Sequence, residues 1–115
     1  MTPKAFNAFC AGLPHATHVV QWGGSDVWKI GGKVFAIASG EDGLKVSFKV
    51  TPIAFEILGY ADGCRPAPYL ASRGMKWIQA FDIADSELKD HVRGSYDLIA
   101  AALPKKTKRE LGLLT

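Results

Sequence analysis

Leu44-Lys45-Val46-Ser47-Phe48-Lys49-Val50 alternates strictly between apolar and polar side chains, and this stretch decides the fold. A period of two places Leu44, Val46, Phe48 and Val50 on one face of a β-strand and Lys45, Ser47 and Lys49 on the other. One face therefore belongs to a core, and the other to water or a partner. Toward the N-terminus the same period runs back to His18. It is broken only at Gly23-Gly24-Ser25, Gly31-Gly32 and Glu41-Asp42-Gly43, residue types suited to tight turns. Residues 18–49 thus read as four antiparallel strands joined by short hairpins.

The flanks carry helical signals. Thr2-Pro3 supplies a capping hydroxyl followed by Pro at the first helical position, and Phe6, Phe9, Cys10 and Leu13 recur at helical spacing. A first helix ending near Gly12-Leu13-Pro14 follows. Thr51-Pro52 repeats the opening signal, with Ile53, Ile57 and Leu58 as the apolar stripe of a short second helix that ends within 59–63. Pro66 and Pro68 make residues 64–75 a loop, because each lacks an amide hydrogen and disfavours helical geometry in the residue before it. Lys76 to Phe81 then reads as a fifth strand. Asp85-Ser86-Glu87 opens a capped helix whose stripe is Leu88, Val92, Tyr96, Ile99 and Leu103, with Pro104 ending it or opening a short terminal helix. The expected architecture is α+β: two layers, a single antiparallel sheet of about five strands with helices on one face, in the order α-β-β-β-β-α-β-α. With 115 residues and no linker, residues 1–115 form a single domain.

Composition narrows the class. A chain that is 48% hydrophobic and 22% charged is an ordinary globular protein. The first dozen residues lack the apolar run of a signal peptide, and no segment approaches the roughly 20 apolar residues of a membrane span, so a cytoplasmic location and no membrane partner are expected. Cys10 and Cys64 form no CxxC and lie near no pair of histidines. Neither a disulfide framework nor a metal site nor any cofactor is indicated, and both thiols read as small buried hydrophobes.

Catalytic constellations are not apparent. His15, His18 and His91 have no ligand spacing. Ser95 sits in Gly-Ser-Tyr-Asp within a helix and lacks the strained elbow of a Gly-x-Ser-x-Gly nucleophile. Asp82, Asp85, Glu87 and Asp90 straddle a helix N-terminus, where acidic residues meet the macrodipole. The glycine pairs lie between strands and match neither phosphate-binding motif. A non-enzymatic protein is the expectation.

The stretch from Cys64 to Gln79, Cys-Arg-Pro-Ala-Pro-Tyr-Leu-Ala-Ser-Arg-Gly-Met-Lys-Trp-Ile-Gln, followed by Ser95-Tyr96 and Leu103-Pro104-Lys105-Lys106, resembles the MmcQ/YjbR-like family of small bacterial domains. Trp28, Lys33-Val34-Phe35 and Lys49 fall where other members carry a similar Trp, a Lys-aromatic strand and a Lys. Many members place Asn and His just before the second Trp, where this chain has Arg73-Gly74-Met75-Lys76. The resemblance implies a compact antiparallel α+β domain, with nucleic-acid binding through a "double wing" of hairpins.

Basic residues interleaved with aromatics are the chemistry that remains. Arg65, Tyr69, Arg73, Lys76 and Trp77 cluster within thirteen residues. The net charge of +3 resides in the tail, where Lys105, Lys106, Lys108 and Arg109 face only Glu110. Long cations reach phosphates and exposed aromatic faces stack on bases. Trp77 is in register with Gln79 and Phe81, so core packing competes with stacking, and the tail cations could equally serve a helix end. Lys29, Lys33, Lys45 and Lys49 form a second candidate set on the outward face of the hairpins, although lysines there also discourage edge-to-edge pairing. DNA contacted through its phosphate backbone is the leading expectation, with little base readout because few Arg residues are available. A protein-interaction module is the alternative, since α+β domains of this size, including the secretion chaperones whose fold the family resembles, bind partner segments.

Overall fold

The alternating stretch becomes β4 (Lys45–Lys49), an inner strand of a six-stranded antiparallel sheet. The computed structural model describes residues 1–40 and 42–113. Around β4 run α1 (Pro3–Ala11), β1 (Thr17–Gln21), β2 (Ser25–Ile30), β3 (Lys33–Ser39), α2 (Pro52–Leu58), β5 (Cys64–Pro66), β6 (Trp77–Ala80), α3 (Asp85–Ala101) and α4 (Lys105–Glu110). Strand order across the sheet is β1-β2-β3-β4-β6-β5. The α+β class, the four N-terminal hairpin strands and the placement of the helices agree with the sequence reading.

Both Thr-Pro signals act as expected. Thr2 accepts a hydrogen bond from the Ala5 amide at 3.1 Å and Thr51 accepts one from Ala54 at 3.2 Å, each pairing a donor that the first helical turn leaves free. The start of α3 differs, because Ala84 occupies the cap position and supplies no side-chain acceptor. Asp85 instead enters the first turn, where its carboxylate meets the N-terminal ammonium of Met1 at 3.1 Å.

The core forms where α1 and α3 cross one face of the sheet. Phe6 and Cys10 from α1 and Leu88, Val92 and Tyr96 from α3 meet Trp28, Ile30, Phe35, Val46, Phe48 and Ile78 from the strands, all buried. Each large side chain removed from water in this way contributes about 1.5–3 kcal/mol. Polar ties fix the helices in register. Trp28 Nε1 donates to Asn7 Oδ1 at 2.9 Å, and Tyr96 Oη donates to the Pro14 carbonyl at 2.6 Å. Ser95, fully buried, donates through Oγ to the Phe35 carbonyl at 2.7 Å and accepts from the Lys49 amide at 2.9 Å. The Ser95-Tyr96 pair is thus a docking device for α3.

Three further features depart from the sequence reading. Residues 64–66, expected in a loop, form β5 at the sheet edge, paired with Ile78–Ala80 of β6. Pro66 is tolerated because an edge strand can dispense with an amide donor. The Ile53 and Ile57 side chains of α2 are exposed, at 76% and 65%, whereas Ala54, Phe55 and Leu58 pack against the core. A seven-residue helix lying over β5 and β6 has room for only one inward face, and the chain gives that face to 54, 55 and 58.

The third departure is a β-bulge. Trp28 pairs with Ala36 and Lys29 with Val34, so Phe35 is an extra residue on β3. Phe35 therefore points into the same core as Ala36, and strand parity reverses beyond it. Lys33 stands opposite Ile30, on the core-side parity, and so leaves the outward set to which simple alternation assigned it.

Beyond α3, Leu103 and α4 close over the β2–β3 turn. Gly31, with φ +57, lies so near that a Cβ on it would approach Leu103 Cδ1 to 2.8 Å. Among the described residues no helix is long and apolar enough to cross a membrane.

Candidate functional site

Because α1, α2 and α3 all pack on one face, the other face of the sheet is free of α-helices among the described residues. Register identifies its central row across all six strands. Val19 pairs with Val27, Val27 with Ile37, Ile37 with Ser47, Ser47 with Gln79, and Gln79 with Arg65. The 67–75 segment folds back over part of this face and leaves a groove of about 500 Å³ beside it. Ile37, Ser47 and Gln79 supply its floor. Trp22, Tyr69, Arg73 and Lys45 stand around it, together with Ser25, Ser39, Pro68 and Leu70. Among the described residues no carboxylate lines it.

The two aromatics at the rim are held out by their backbones. Trp22 has φ 49 and is 64% exposed; Tyr69 has φ 71 and is 70% exposed. A left-handed conformation costs a bulky L-residue about 1–3 kcal/mol, and such residues concentrate at binding sites. Trp22 is followed by Gly23 and Gly24, also at positive φ, so the β1–β2 turn projects the indole from its tip. Tyr69 is secured locally. Its carbonyl accepts from Ser72 Oγ at 2.6 Å, and its hydroxyl accepts from an Arg73 guanidinium nitrogen at 3.1 Å. The same guanidinium lies 5.5 Å from the Tyr69 ring centroid. Aromatic and cation therefore present themselves as one unit.

Gln79 is oriented from the far side. Arg65 Nε donates to its Oε1 at 2.8 Å, which leaves the Gln79 NH2 as the polar end free for the groove. Arg65 also lies 4.8 Å over the Phe81 ring.

The residues singled out in the sequence separate into groups. Tyr69, Arg73 and Lys45 line the groove, and Arg65 adjoins it through Gln79. Lys29 and Lys49 share the parity of the helix-free face, opposite Thr17 and Trp77 respectively. Lys76 turns to the helical side, its Nζ 4.9 Å over the Phe55 ring. Trp77 is buried at 5% exposure, which removes it as a stacking platform. Lys105, Lys106, Lys108 and Arg109 belong to α4, which packs at the Ile30 end of β2 through Thr107 and the preceding Leu103, whereas the groove opens at the Ser25 end. Lys108 and Arg109 occupy the last turn of α4, where cations meet the helix dipole.

Trp22, Ser47 and Gln79 were not singled out from the sequence. A Trp directly before Gly-Gly at a hairpin tip was the readable signal for Trp22, because a turn apex is too far from either face to be buried. Two of the three histidines are engaged elsewhere. His18 Nε2 lies 2.8 Å from Asp26 Oδ1, and His91 stacks parallel on Phe48 at 5.2 Å. Burial pushes the Cys10 thiol up to about 12. Among the described residues no group of three His, Cys, Asp or Glu side chains is placed to hold a metal ion.

The YjbR family model matches residues 11–98. Among solved structures, the crystal structure of a Deinococcus radiodurans protein carrying the domain DUF419 is similar in fold, with a TM-score of 0.85 at 26% identity. The match covers 98% of this chain and 89% of that one. None of the curated proteins matches the chain significantly.

Proposed function

The chain belongs to the YjbR family, and for this member we propose that its function is to bind nucleic acid across the helix-free face of the sheet, without a catalytic step. The observation that carries this reading is the groove bordered by exposed Trp22 and Tyr69 and by the cations Lys45 and Arg73, with no acidic residue among the described residues of its lining. Lysine and arginine there would contact backbone phosphates, and the two aromatics would offer faces on which bases stack. The β1–β2 hairpin and the 67–75 segment flank the groove, an arrangement compatible with the wing-like contacts proposed for the family. A cytoplasmic setting is part of this proposal.

Fluorescence anisotropy tests it, with labelled DNA at about 50 and 200 mM salt, where counterion release is pronounced. Binding should weaken steeply with salt, and Lys45→Gln with Arg73→Gln should lower the log-log slope by roughly 0.7 to 0.9 for each phosphate no longer neutralised. Absence of binding at tens of micromolar protein would reject the reading.

One observation favours a protein-interaction module instead. Ile53 and Ile57 on the outer side of α2, and Tyr60 in the turn just after it, are exposed at 76%, 65% and 90%. Exposed apolar side chains grouped at one element suit a protein partner. A stable homodimer on size exclusion, together with salt-insensitive capture of a partner, would favour it.

A further inference from the structure

We propose that the groove receives an unpaired nucleobase, with Trp22 and Tyr69 as its stacking platforms, so that the preferred ligand is a single strand; this rests on the nucleic-acid reading above. A flat basic surface suffices for duplex phosphates, whose bases are already stacked on one another. This face is neither flat nor uniformly basic. It holds a recess of about 500 Å³, within the range of small-molecule sites, whose floor is the apolar Ile37 beside the polar Ser47 and Gln79.

The floor matches the edge of a base. Gln79, fixed through Oε1 by Arg65, offers its NH2 to a base carbonyl or ring nitrogen. Ser47, Ser25 and Ser39 bring hydroxyls that both donate and accept. At the rim, two of the three non-glycine residues with positive φ among those described are these aromatics, the third being His15 in a separate turn. Each backbone holds its ring out of the sheet, where an apolar surface gains nothing from folding. Arg73, tied to Tyr69, and Lys45 stand where the phosphates on either side of an inserted base would pass. Recognition of an unpaired base by stacking on aromatics beside cations is the chemistry of single-strand binding.

The test compares four probes with the full chain: a fluorescein-labelled oligothymidylate of about ten residues, the same strand with abasic sugars throughout, the strand annealed to its complement, and thymidine monophosphate. The intact strand should bind at least roughly tenfold more tightly than the abasic one, the lower part of the range for base stacking on aromatics. It should also quench the red edge of the intrinsic fluorescence, which comes from solvent-exposed Trp22 because Trp28 and Trp77 are each 5% exposed. Trp22→Gly and, separately, Tyr69→Gly should remove that preference, with circular dichroism confirming that each variant is folded. Equal binding of intact and abasic strands would overturn the inference while leaving the phosphate reading in place. Tighter binding of the duplex would do the same. Binding of thymidine monophosphate as tight as that of the strand would overturn the strand assignment in favour of a free nucleotide. No binding of any probe would overturn both readings.

Discussion

The Ser95 hydroxyl donates to the carbonyl of Phe35 at 2.7 Å, joining α3 to the bulged residue of β3 across 60 positions of sequence. The same oxygen accepts from the Lys49 amide, so one side chain pairs two backbone groups that the bulge and the end of β4 leave without ladder partners. Ser95→Ala would strand both beside a fully buried position. Each unpaired buried group costs about 1–3 kcal/mol, so we expect a loss of about 2–4 kcal/mol in urea unfolding. A loss below about 0.5 kcal/mol would show that the bulge is held by other means.

Gly63 is the second point of sensitivity. Its φ is +79, its carbonyl accepts from the Phe81 and Asp82 amides, and a Cβ at this position would run into the Asp82 carbonyl. Both conformation and space require glycine here. Gly63→Ala should cost at least about 3 kcal/mol, visible as a thermal shift of many degrees in a domain of this size.

Trp22 offers the opposite case. At φ 49 glycine is favoured and a β-branched residue is disfavoured. Trp22→Gly should leave stability within about 1 kcal/mol of the parent or raise it, while Trp22→Val should lower it by about 1 kcal/mol or more. Chemical denaturation of the pair decides the matter. If Val is tolerated as well as Gly, the backbone there is not strained.

The tail can be separated from the groove by charge. Were Lys105, Lys106, Lys108 and Arg109 all in contact with phosphates, replacing them with Gln would flatten the salt slope of duplex binding by roughly 3 to 4 units. Their position at the Ile30 end of β2 predicts a change below about 1 unit, with the larger effect reserved for Lys45 and Arg73. A slope that collapses on tail neutralisation would move the interface to α4.

Cys10 makes stability sensitive to alkali. Burial lifts its folded pKa from the ordinary 9.0 to about 12, so the unfolded thiol ionises first. Its contribution is fully present below pH 9.0 and is lost as pH rises toward about 12, by about 1.4 kcal/mol per pH unit in that window. Cys64, raised by burial and then by the charge of Glu87, acts in the same sense, as does Tyr96, raised mainly by burial. Urea unfolding at pH 8 and pH 10 should show a smaller alkaline loss for Cys10→Ala than for the parent. Equal losses would place the sensitivity elsewhere.

How much of this was legible in the sequence depends on the range of the interaction concerned. The alternation at 44–50 and the Thr-Pro starts of α1 and α2 are local, and they read correctly because neighbours in the chain cause them. Residue parity beyond Phe35 is not local. One inserted residue, stabilised by Ser95 from 60 positions away, reverses it and removes Lys33 from the outward lysines. The inward face of α2 is set by β5 and β6, which themselves depend on a Pro-containing edge strand that looked like a loop. Trp77 and Lys76 illustrate the same limit for the site, since adjacent residues turn to opposite layers. The groove was legible only in fragments, as Tyr69, Arg73 and Lys45. Its floor joins the β3–β4 hairpin to β6, which enters the sheet only after α2 and β5.

Placing the core-forming helices on one side of the sheet divides the mutational tasks of this small domain. Substitutions at the partly exposed positions of the row, Val19, Ile37, Gln79 and Arg65, can change the surface of the bare side without disturbing the aromatic packing of Phe6, Phe35 and Phe48 beneath it. Sequence change can therefore reshape one side while the other side keeps the chain folded. A domain with so little core to spare can thus vary one surface widely within a single architecture.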